Sequence, residues 1–381
     1  MSRLRVGVIF GGRSGEHEVS LASAASVIAA LERGGNQVVP IGIARDGRWL
    51  VGGDPLRALA AAARIAMPAD DATGAVKKAL ADRAETALVE DAAQDASAVG
   101  ALVRTEPAGG LPPGLCQQLD VVVVMLHGPY GEDGTIQGLL ELSDLPYVGA
   151  GVMASAVGMD KAVMKDVFRA HGLPVVEYQV VLRREWRDDP GGVAAAVART
   201  VGFPCFVKPS NLGSSVGISK VRVAADLRAA MDEAAGYDRK IVVERGVSAR
   251  EVEVSVLGND DPRASLPGEI VYDGDWYDYE TKYAEGRASV RVPAPLSPEL
   301  TGQIQALAIA AFRAIDCAGM ARVDFFLEGD HILVNEINTI PGFTATSAYA
   351  RLWDASGLPY TDLIARLVTL ALERHRDRSA G

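Results

Sequence analysis

The first residues of the chain alternate a strand, a glycine turn, a helix and a second strand, and this order leaves few folds available. Leu4 to Phe10 is an apolar run that ends in Gly11-Gly12. Ser20 can cap a helix whose apolar residues recur with the helical period, and Gln37 to Ile43 is the next strand. Such a strand–helix–strand unit predicts an open α/β fold that binds its ligand at the carboxyl ends of parallel strands.

The length of 381 residues predicts more than one domain, because single domains usually have roughly 100 to 200 residues. Changes in pattern divide the chain into an N-terminal α/β unit (1–150), a central unit (151–247) and a C-terminal unit (248–381). We interpret the segment of about residues 52–115, which is rich in Ala, Asp and Gly, as a structural insertion in the first unit. We therefore expect a mixed α/β protein.

The formal net charge of −11 argues against nucleic acid as a partner, because nucleic-acid-binding domains present a basic surface. Cys116, Cys205 and Cys317 are widely spaced and form neither a disulfide framework nor a metal-binding pair, so we expect reduced thiols. The N-terminal strand lacks a signal-peptide pattern, and no apolar run is long enough to cross a membrane. The sequence thus predicts a cytoplasmic protein with no membrane partner.

Two strand patterns near the carboxyl end carry polar residues of complementary chemistry. Arg322-Val-Asp324 lies in the first and Glu336-Ile-Asn338 ends the second, with Glu328-Gly-Asp330 as a hairpin connection. A three-residue connection would set the two carboxylates opposite each other, whereas a two-residue connection would separate them. Such oxygen ligands suit Mg²⁺, and the arginine suits a developing negative charge. The alternative is a hairpin with a solvated, charged face.

A glycine-containing loop, Gly213-Ser-Ser-Val-Gly217, follows a strand and can surround phosphates with backbone N–H groups and hydroxyls. It lacks the Walker A ending. Lys208 before the loop and Lys161 on the preceding helix would supply the positive charge that a triphosphate needs. Each feature alone is typical of a turn or a surface lysine, but together in an acidic chain they favour a nucleotide site.

After the hairpin, Gly342 lies in a turn that can offer its N–H to an oxyanion.

Acidic residues stand beside the first strand–helix turn, in Gly15-Glu-His-Glu-Val-Ser20, where they would attract an ammonium group and repel a phosphate. Gly11 to Gly15 also does not match the dinucleotide-binding pattern, which excludes a Rossmann nucleotide site there.

The segment from His127 to Gly134 ends a valine-rich strand with three glycines, again at a ligand-binding edge of the sheet. Residues 274–288 are polar and aromatic, which predicts a lid or, alternatively, an ordinary exposed loop.

These segments, in this order, resemble the D-alanyl-D-alanine ligase family of the ATP-grasp superfamily. The matching motifs are Gly-Glu-His-Glu-Val-Ser, Leu-His-Gly-Pro-Tyr-Gly-Glu-Asp-Gly, Gly-Met-Asp-Lys, Lys-Pro-Ser-x-x-Gly-Ser-Ser-Val-Gly, Tyr-Asp-Tyr-Glu-Thr-Lys-Tyr and Asn-Glu-Ile-Asn-Thr-Ile-Pro-Gly. The resemblance implies a three-domain ATP-grasp architecture with a Rossmann-like first domain. It also implies that two D-alanine molecules are joined through a D-alanyl phosphate, with release of ADP and phosphate, for peptidoglycan precursor synthesis.

The resemblance implies roles for individual residues. Substrate contacts are implied for Glu16, His127, Lys282, Arg322, Gly342 and Ser347. ATP contacts are implied for Lys161, Lys208, Gly213, Ser214, Ser215, Glu244, Val247, Glu251 and Lys282. Two Mg²⁺ ions, replaceable by Mn²⁺, are implied to bind Asp324, Glu336 and Asn338. Catalytic roles are implied for Glu16, Ser214, Tyr283, Arg322 and Gly342. The resemblance further implies a homodimer and leaves the need for K⁺ undecided.

Two segments depart from the family pattern. Gly246 stands where some members carry a bulky aromatic beside the adenine, so the adenine wall would come from elsewhere, such as Val247. Ala348-Tyr349-Ala350 follows Ser347 where an apolar residue and a proline are usual. The shape of the second substrate pocket is therefore not specified by the resemblance.

Three alternative functions are considered. A D-alanyl-D-lactate ligase shares the whole chain pattern but usually lacks the tyrosine of Lys282-Tyr283. Another ATP-grasp ligase or carboxylase would share the nucleotide site without Glu16 or the His127 loop. A non-catalytic nucleotide-binding module would have lost one of the polar residues of the hairpin, and all of them are present.

Overall fold

The computed structural model describes residues 3–63, 103–104, 111–112, 114–272 and 288–379. Most of the predicted insertion at 52–115 lies outside the described residues, and so does the predicted lid up to residue 287, including Lys282 and Tyr283. None of the described helices combines the length and apolar character needed to cross a membrane.

The first sheet contains the predicted strand–helix–strand unit. Its strands are β1 (Arg5–Gly11), β2 (Gln37–Ile43), β3 (Trp49–Val51), β4 (Val103–Arg104), β5 (Val121–Met125) and β6 (Tyr147–Val148), in the order β4-β3-β2-β1-β5-β6. The four strands β2, β1, β5 and β6 are parallel, because the chain returns through helices or long connections between them. The predicted mixed α/β class with an open parallel sheet is confirmed.

Helix α1 (His17–Arg33) begins earlier than predicted, so the proposed Ser20 cap was wrong. The buried Ser20 hydroxyl instead accepts a hydrogen bond from the Gly11 N–H at 2.7 Å and donates one to the Met125 carbonyl. It thereby joins the carboxyl ends of β1 and β5. Glu16 takes the N-cap position without making a side-chain cap bond. Helices α2 (Pro55–Ala62) and α3 (Thr135–Leu142) complete the helices described in this part of the chain.

The second sheet is antiparallel and has one apolar and one polar face. It consists of β7 (Tyr178–Leu182), β8 (Cys205–Pro209), β9 (Ser219–Val221) and β10 (Lys240–Arg245), in the order β7-β10-β8-β9. Alternate residues pack against helices α6 (Arg183–Asp188), α7 (Pro190–Thr200) and α8 (Leu227–Tyr237). Strand alternation then turns Lys208 and Glu244 to the opposite face, toward the third sheet.

The third sheet carries the polar hairpin. It contains β11 (Arg250–Gly258), β12 (Arg263–Ala264), β13 (Gly268–Tyr272), β14 (Ala288–Arg291), β15 (Gly319–Glu328) and β16 (His331–Asn338). The order is β14-β13-β11-β15-β16, and β12 pairs with β11. Helices α4 (Val152–Met159), α5 (Lys161–Ala170) and α9 (Pro298–Ala314) pack against its apolar face. Ser297 caps α9, since its side chain accepts from the Leu300 N–H.

The last helices return to the beginning of the chain. Helices α10 (Ala348–Ala355) and α11 (Tyr360–Ser379) follow the hairpin, and α11 shares a hydrophobic core with α1 and the first sheet through Leu363, Ile364 and Leu367. The strands of each sheet fall within one of the three predicted units. The boundaries at residues 150 and 247 stay predictions.

A β-bulge sets the register of the polar hairpin. Glu328 pairs with His331, so the connection has two residues, and this register continues to the Phe325–Val334 pair. The register then shifts, and Asp324 pairs with Glu336 while Asn335 is the extra residue. The expectation that a two-residue connection would separate the carboxylates was wrong, because the bulge restores the alignment.

Candidate functional site

Arg322 is held between two carboxylates on neighbouring strands. Its Nε and Nη2 atoms each donate to one oxygen of Asp324 at 2.7 Å, and Nε lies 3.2 Å from a carboxylate oxygen of Glu253 on β11. Asn338 donates to the same Asp324 carboxylate at 3.0 Å. Burial opposes the charge of Arg322, but Asp324 and Glu253 outweigh it and raise the arginine pKa well above its usual value. The guanidinium is therefore a fixed positive charge in this site.

Helix α5 brings Lys161 to the other side of the hairpin. The Lys161 Nζ atom lies 3.7 Å from a carboxylate oxygen of Glu336 and donates to the Leu212 carbonyl at 2.7 Å. Asp160 caps the helix by accepting from the Ala162 and Val163 N–H groups. One lysine thus joins the glycine-containing loop of the second sheet to the acidic residues of the third.

A buried ion cluster lies on the polar face of the second sheet. Lys208 donates to one Glu244 oxygen at 2.8 Å, and Lys165 lies 3.2 Å from the other. Burial opposes ionisation of Glu244, but the two ammonium groups outweigh it and lower its pKa to about 2. Burial opposes the charge of Lys208 as well, but Glu244 outweighs it and raises the pKa of Lys208, so this lysine keeps a positive charge that suits phosphate binding nearby.

The segment after β8 adopts a conformation that side chains disfavour. Ser214 and Ser215 have φ values of 51° and 57°, and Gly217 has a φ of 69°. A non-glycine residue in this region costs about 1 to 3 kcal/mol and persists where the surroundings hold it, often at ligand sites. Successive residues of this kind turn backbone N–H groups to one side, as anion-binding loops require.

Glu16 projects from the N-cap of α1 into the space between two loops. Ser214 donates a hydrogen bond to its carboxylate. A Cβ atom on Gly128 would lie 3.1 Å from a Glu16 oxygen, and one on Gly213 would lie 3.4 Å from it. Glycine at these two positions therefore leaves room for the carboxylate. The structure brings the predicted amine-binding residue into contact with the predicted phosphate loop.

His127 is buried among polar groups from three segments. Its Nδ1 atom lies 3.0 Å from the Ile340 carbonyl and 3.4 Å from a Glu132 oxygen, while Nε2 lies 3.3 Å from the Ser23 hydroxyl. Burial disfavours the charged imidazolium, but the carboxylates of Glu132 and Glu16 outweigh it and raise the pKa of His127. The charged form of His127 is thereby favoured beside Glu16.

The loop from Thr339 to Ser347 is held against α1 and contains Gly342, whose N–H is the predicted donor to an oxyanion. The Ser347 hydroxyl accepts from the Thr344 N–H at 3.0 Å and lies 3.6 Å from the position of a Cβ atom on Gly342. The Phe343 N–H donates to Ser23, which also contacts His127. Gly342 and Ser347 thus lie on the same side of the loop.

The residues of the predicted metal site have the right donor chemistry. Within the described residues, no three His, Cys, Asp or Glu side chains are grouped so as to hold a metal ion. The site instead offers two carboxylates and one amide, oxygen donors that suit a hard cation completed by nucleotide phosphates. Burial raises the pKa of Glu251 to about 7, and the charges of Asp324 and Glu336 add to the rise. A divalent cation would relieve that repulsion.

The structure accounts for both departures from the family pattern. A Cβ atom on Gly246 would lie 2.8 Å from the Pro204 carbonyl oxygen, so a side chain there has no room. Val247 lies half-buried in the connection between β10 and β11. Tyr349 is fully buried, donates to the Val256 carbonyl at 2.9 Å and packs against Phe343 with ring centres 5.6 Å apart. Through this ring contact, Tyr349 supports the Thr339–Ser347 loop from the protein interior.

Two residues of the site were missed from the sequence. Lys165 lies four residues after Lys161, which places both on one face of a helix. Glu253 lies two residues after Glu251, which places both on one face of β11. Either spacing could have indicated them. The predicted Lys282 and Tyr283 lie outside the described residues.

Comparisons with known proteins agree over both halves of the chain. Residues 5–150 match the family model described as D-ala D-ala ligase N-terminus, and residues 167–369 match D-ala D-ala ligase C-terminus. A D-alanine–D-alanine ligase of Heliobacterium modesticaldum is 46% identical over 380 residues, covering 99% of this chain and 97% of that protein. One from Geobacillus thermodenitrificans is 43% identical, with 99% and 97% covered.

Solved structures show the same likeness. The D-alanine–D-alanine ligase of Coxiella burnetii is 36% identical with a TM-score of 0.76, covering 100% of this chain and 97% of that one. The VanG D-Ala:D-Ser ligase of Enterococcus faecalis is 29% identical with a TM-score of 0.74, covering 97% and 100%.

Proposed function

This chain belongs to the D-alanine–D-alanine ligase family, and on that premise we propose that it joins two D-alanine molecules in a reaction driven by ATP. The first D-alanine carboxylate attacks the γ-phosphorus, ADP leaves, and a D-alanyl phosphate results. The amine of the second D-alanine then attacks the acyl carbon, phosphate leaves, and the nitrogen gives up a proton as the amide forms.

The phosphates of ATP would lie between the second and third sheets. Lys208 on β8 and Lys161 on α5 supply positive charge from the two sides, and the Ser214 segment supplies N–H and hydroxyl donors. Glu251 would face the ribose, and Val247 the adenine. Glu244 supports the lysines through its buried ion pairs.

Asp324, Glu336 and Asn338 would hold two Mg²⁺ ions, with Mn²⁺ as a substitute, and these ions would neutralise charge on the β- and γ-phosphates. Arg322 stabilises negative charge that develops on the transferred phosphoryl group and on the acyl oxygen. The Gly342 N–H donates to that acyl oxygen. Lys282 and Tyr283 would close over the substrates.

The amino acids would lie between the first unit and the hairpin. Glu16 accepts the ammonium of the first D-alanine, with His127 beside it, and Ser347 donates to the carboxylate of the second. From its family we also infer that the protein forms a homodimer and acts in the cytoplasm in peptidoglycan synthesis.

The observation that carries this proposal is the hydrogen bond from Ser214 to Glu16. It brings a phosphate-binding segment of the second unit against an ammonium-binding carboxylate of the first. A ligase that phosphorylates an amino acid carboxylate needs this proximity, because the reacting atoms must approach within van der Waals distance.

An assay of ADP release tests the function. With ATP and Mg²⁺, ADP is expected only when D-alanine is added, and mass spectrometry should identify D-alanyl-D-alanine. D-lactate and D-serine, added as competitors, should leave that product dominant. ADP release without D-alanine would mean that ATP is hydrolysed independently of this amino acid and would contradict the proposed function. A dominant ester or D-alanyl-D-serine product would contradict the second substrate.

Glu16→Gln is expected to raise the KM for D-alanine by about 10- to 30-fold, because an ion pair with the substrate ammonium becomes a neutral hydrogen bond. The KM for ATP should change little, since Glu16 contacts the phosphate loop only through Ser214. Steady-state kinetics with each substrate varied in turn measure both values. Glu32→Gln, at an exposed position of the same helix, is the control. An unchanged KM for D-alanine would reject the assignment of Glu16.

A further inference from the structure

One buried lysine of the site, Lys165, has no direct contact with substrate or metal assigned to it in the function proposed above. Its side chain is only 1% exposed, and its Nζ atom donates to the Asn335 carbonyl at 3.0 Å while pairing with Glu244. A buried charge is costly unless its donors are satisfied, so this arrangement holds the lysine in one position. The group joins α5, β10 and β16.

Asn335 is the bulged residue of the polar hairpin. In an antiparallel ladder the extra residue of a bulge has no partner on the facing strand, so its carbonyl must find another donor. Lys165 is that donor. Without the bulge, the register of the hairpin end would continue and place Asp324 opposite Asn335.

A second contact holds the same part of β16. The strand lies at the edge of its sheet, and the Val334 N–H donates to the Pro174 carbonyl at 2.7 Å. Two adjacent residues of β16 are therefore bonded to the helix α5 and the segment that follows it. The bulge is fixed from outside the hairpin.

We propose that Lys165 is a positioning residue that holds the Asn335 bulge and thereby keeps Glu336 and Asn338 aligned with Asp324 and Arg322. The inference rests on the proposed function, because it deepens the account of the metal site. Lys161 on the same helix face contacts Glu336 directly, whereas Lys165 acts through the backbone of the preceding residue. The Lys165 Nζ atom contacts the Asn335 carbonyl and Glu244, so its role would be one of position.

Lys165→Met tests this role, since methionine fills a similar space but cannot donate to the Asn335 carbonyl. The concentration of Mg²⁺ that gives half-maximal ADP release is expected to rise by about 10- to 100-fold, the usual effect of losing a group that orients metal ligands. Mn²⁺ binding can be measured in the absence of turnover, by electron paramagnetic resonance with a non-hydrolysable ATP analogue. Its affinity should fall by a similar factor.

Lys240→Met is the matched control. Lys240 also forms a mostly buried ion pair, with Asp160 at the start of α5, and among the described residues its ammonium group forms no ion pair with β16. Both variants should lower the melting temperature, and only Lys165→Met should shift the metal dependence. An equal shift in both variants, or a shift below about twofold in Lys165→Met, would overturn the positioning role.

The outcomes separate this inference from the proposed function. If the wild-type protein shows no ADP release dependent on D-alanine and metal, the proposed function fails whatever Lys165 does. If Lys165→Met does not fold, Lys165→Gln is measured in the same way, because its neutral amide can bond Glu244 but is one bond shorter. A wild-type metal dependence in folded Lys165→Gln would also overturn the role.

Discussion

Arg322→Ala is expected to lower the rate of D-alanine-dependent ADP release by at least about 10²- to 10³-fold, the usual effect of removing one donor to an oxyanion. ATP binding should persist, because Lys161 and Lys208 still contact the phosphate region. The charge that Arg322 stabilises exists mainly in the transition states, so the loss should appear in kcat more than in the KM for ATP. Steady-state kinetics and calorimetric titration with ATP measure the two effects.

Two further variants make the Arg322 result specific. Alanine leaves the carboxylates of Asp324 and Glu253 buried without their partner, which costs about 3 to 5 kcal/mol of stability, so thermal unfolding must show that the variant is folded. Arg322→Lys keeps the charge and should recover only part of the rate, because one ammonium cannot reproduce the two parallel hydrogen bonds. Arg378→Ala breaks a more exposed pair with Glu141 that has the same two-bond geometry, outside the candidate site, and should keep full activity. A near-normal rate in Arg322→Ala would remove this residue from the mechanism.

The individual strands were the most predictable part of the fold. Gln37 to Ile43 forms β2 as predicted, and the antiparallel hairpin at the carboxyl end is also confirmed. Strand patterns are local, since alternate residues either enter the core or face the opposite side. The return of α11 to the first sheet depends on packing between distant segments, which local periodicity does not specify.

The alignment of the hairpin carboxylates shows where local reasoning ends. The two-residue turn by itself would place Asp324 away from Glu336, and the bulge at Asn335 brings the two carboxylates together. The bulge depends on a donor from α5, about 170 positions earlier in the chain. A bulge that is held by a distant side chain cannot be predicted from the hairpin sequence itself.

The residues of the candidate site also divide into those that local sequence indicates and those that depend on distant contacts. Glu16, Lys161 and Arg322 lie in motifs whose chemistry is legible because several polar residues stand close together in sequence. Glu253 belongs to an ordinary amphipathic strand and gains a role only when β15 pairs with β11. Ser20 was misread as a helix cap because its true partners, on β1 and β5, are remote in sequence.

Asp324→Asn is expected to lower turnover by about 10²-fold or more, because a metal ion bound there supplies several kcal/mol of charge stabilisation. The amide keeps the shape of the carboxylate, and Arg322 keeps Glu253 as an ionic partner, so the fold should survive. The metal concentration for half-maximal activity should rise together with the loss of rate. Titration of ADP release with Mg²⁺ and then with Mn²⁺ measures both.

A change on the same strand separates loss of a metal ligand from loss of a carboxylate. Glu328 lies at the far end of β15, 3.5 Å from Arg245, and Glu328→Gln should stay within about twofold of wild type because exposed ion pairs contribute little. Asp324→Asn combined with Lys165→Met should lose less metal affinity than the two single effects multiplied, because both act on one aligned set of ligands. Strict multiplication would mean that Lys165 acts elsewhere, and an unchanged metal dependence in Asp324→Asn would remove the hairpin from the metal site.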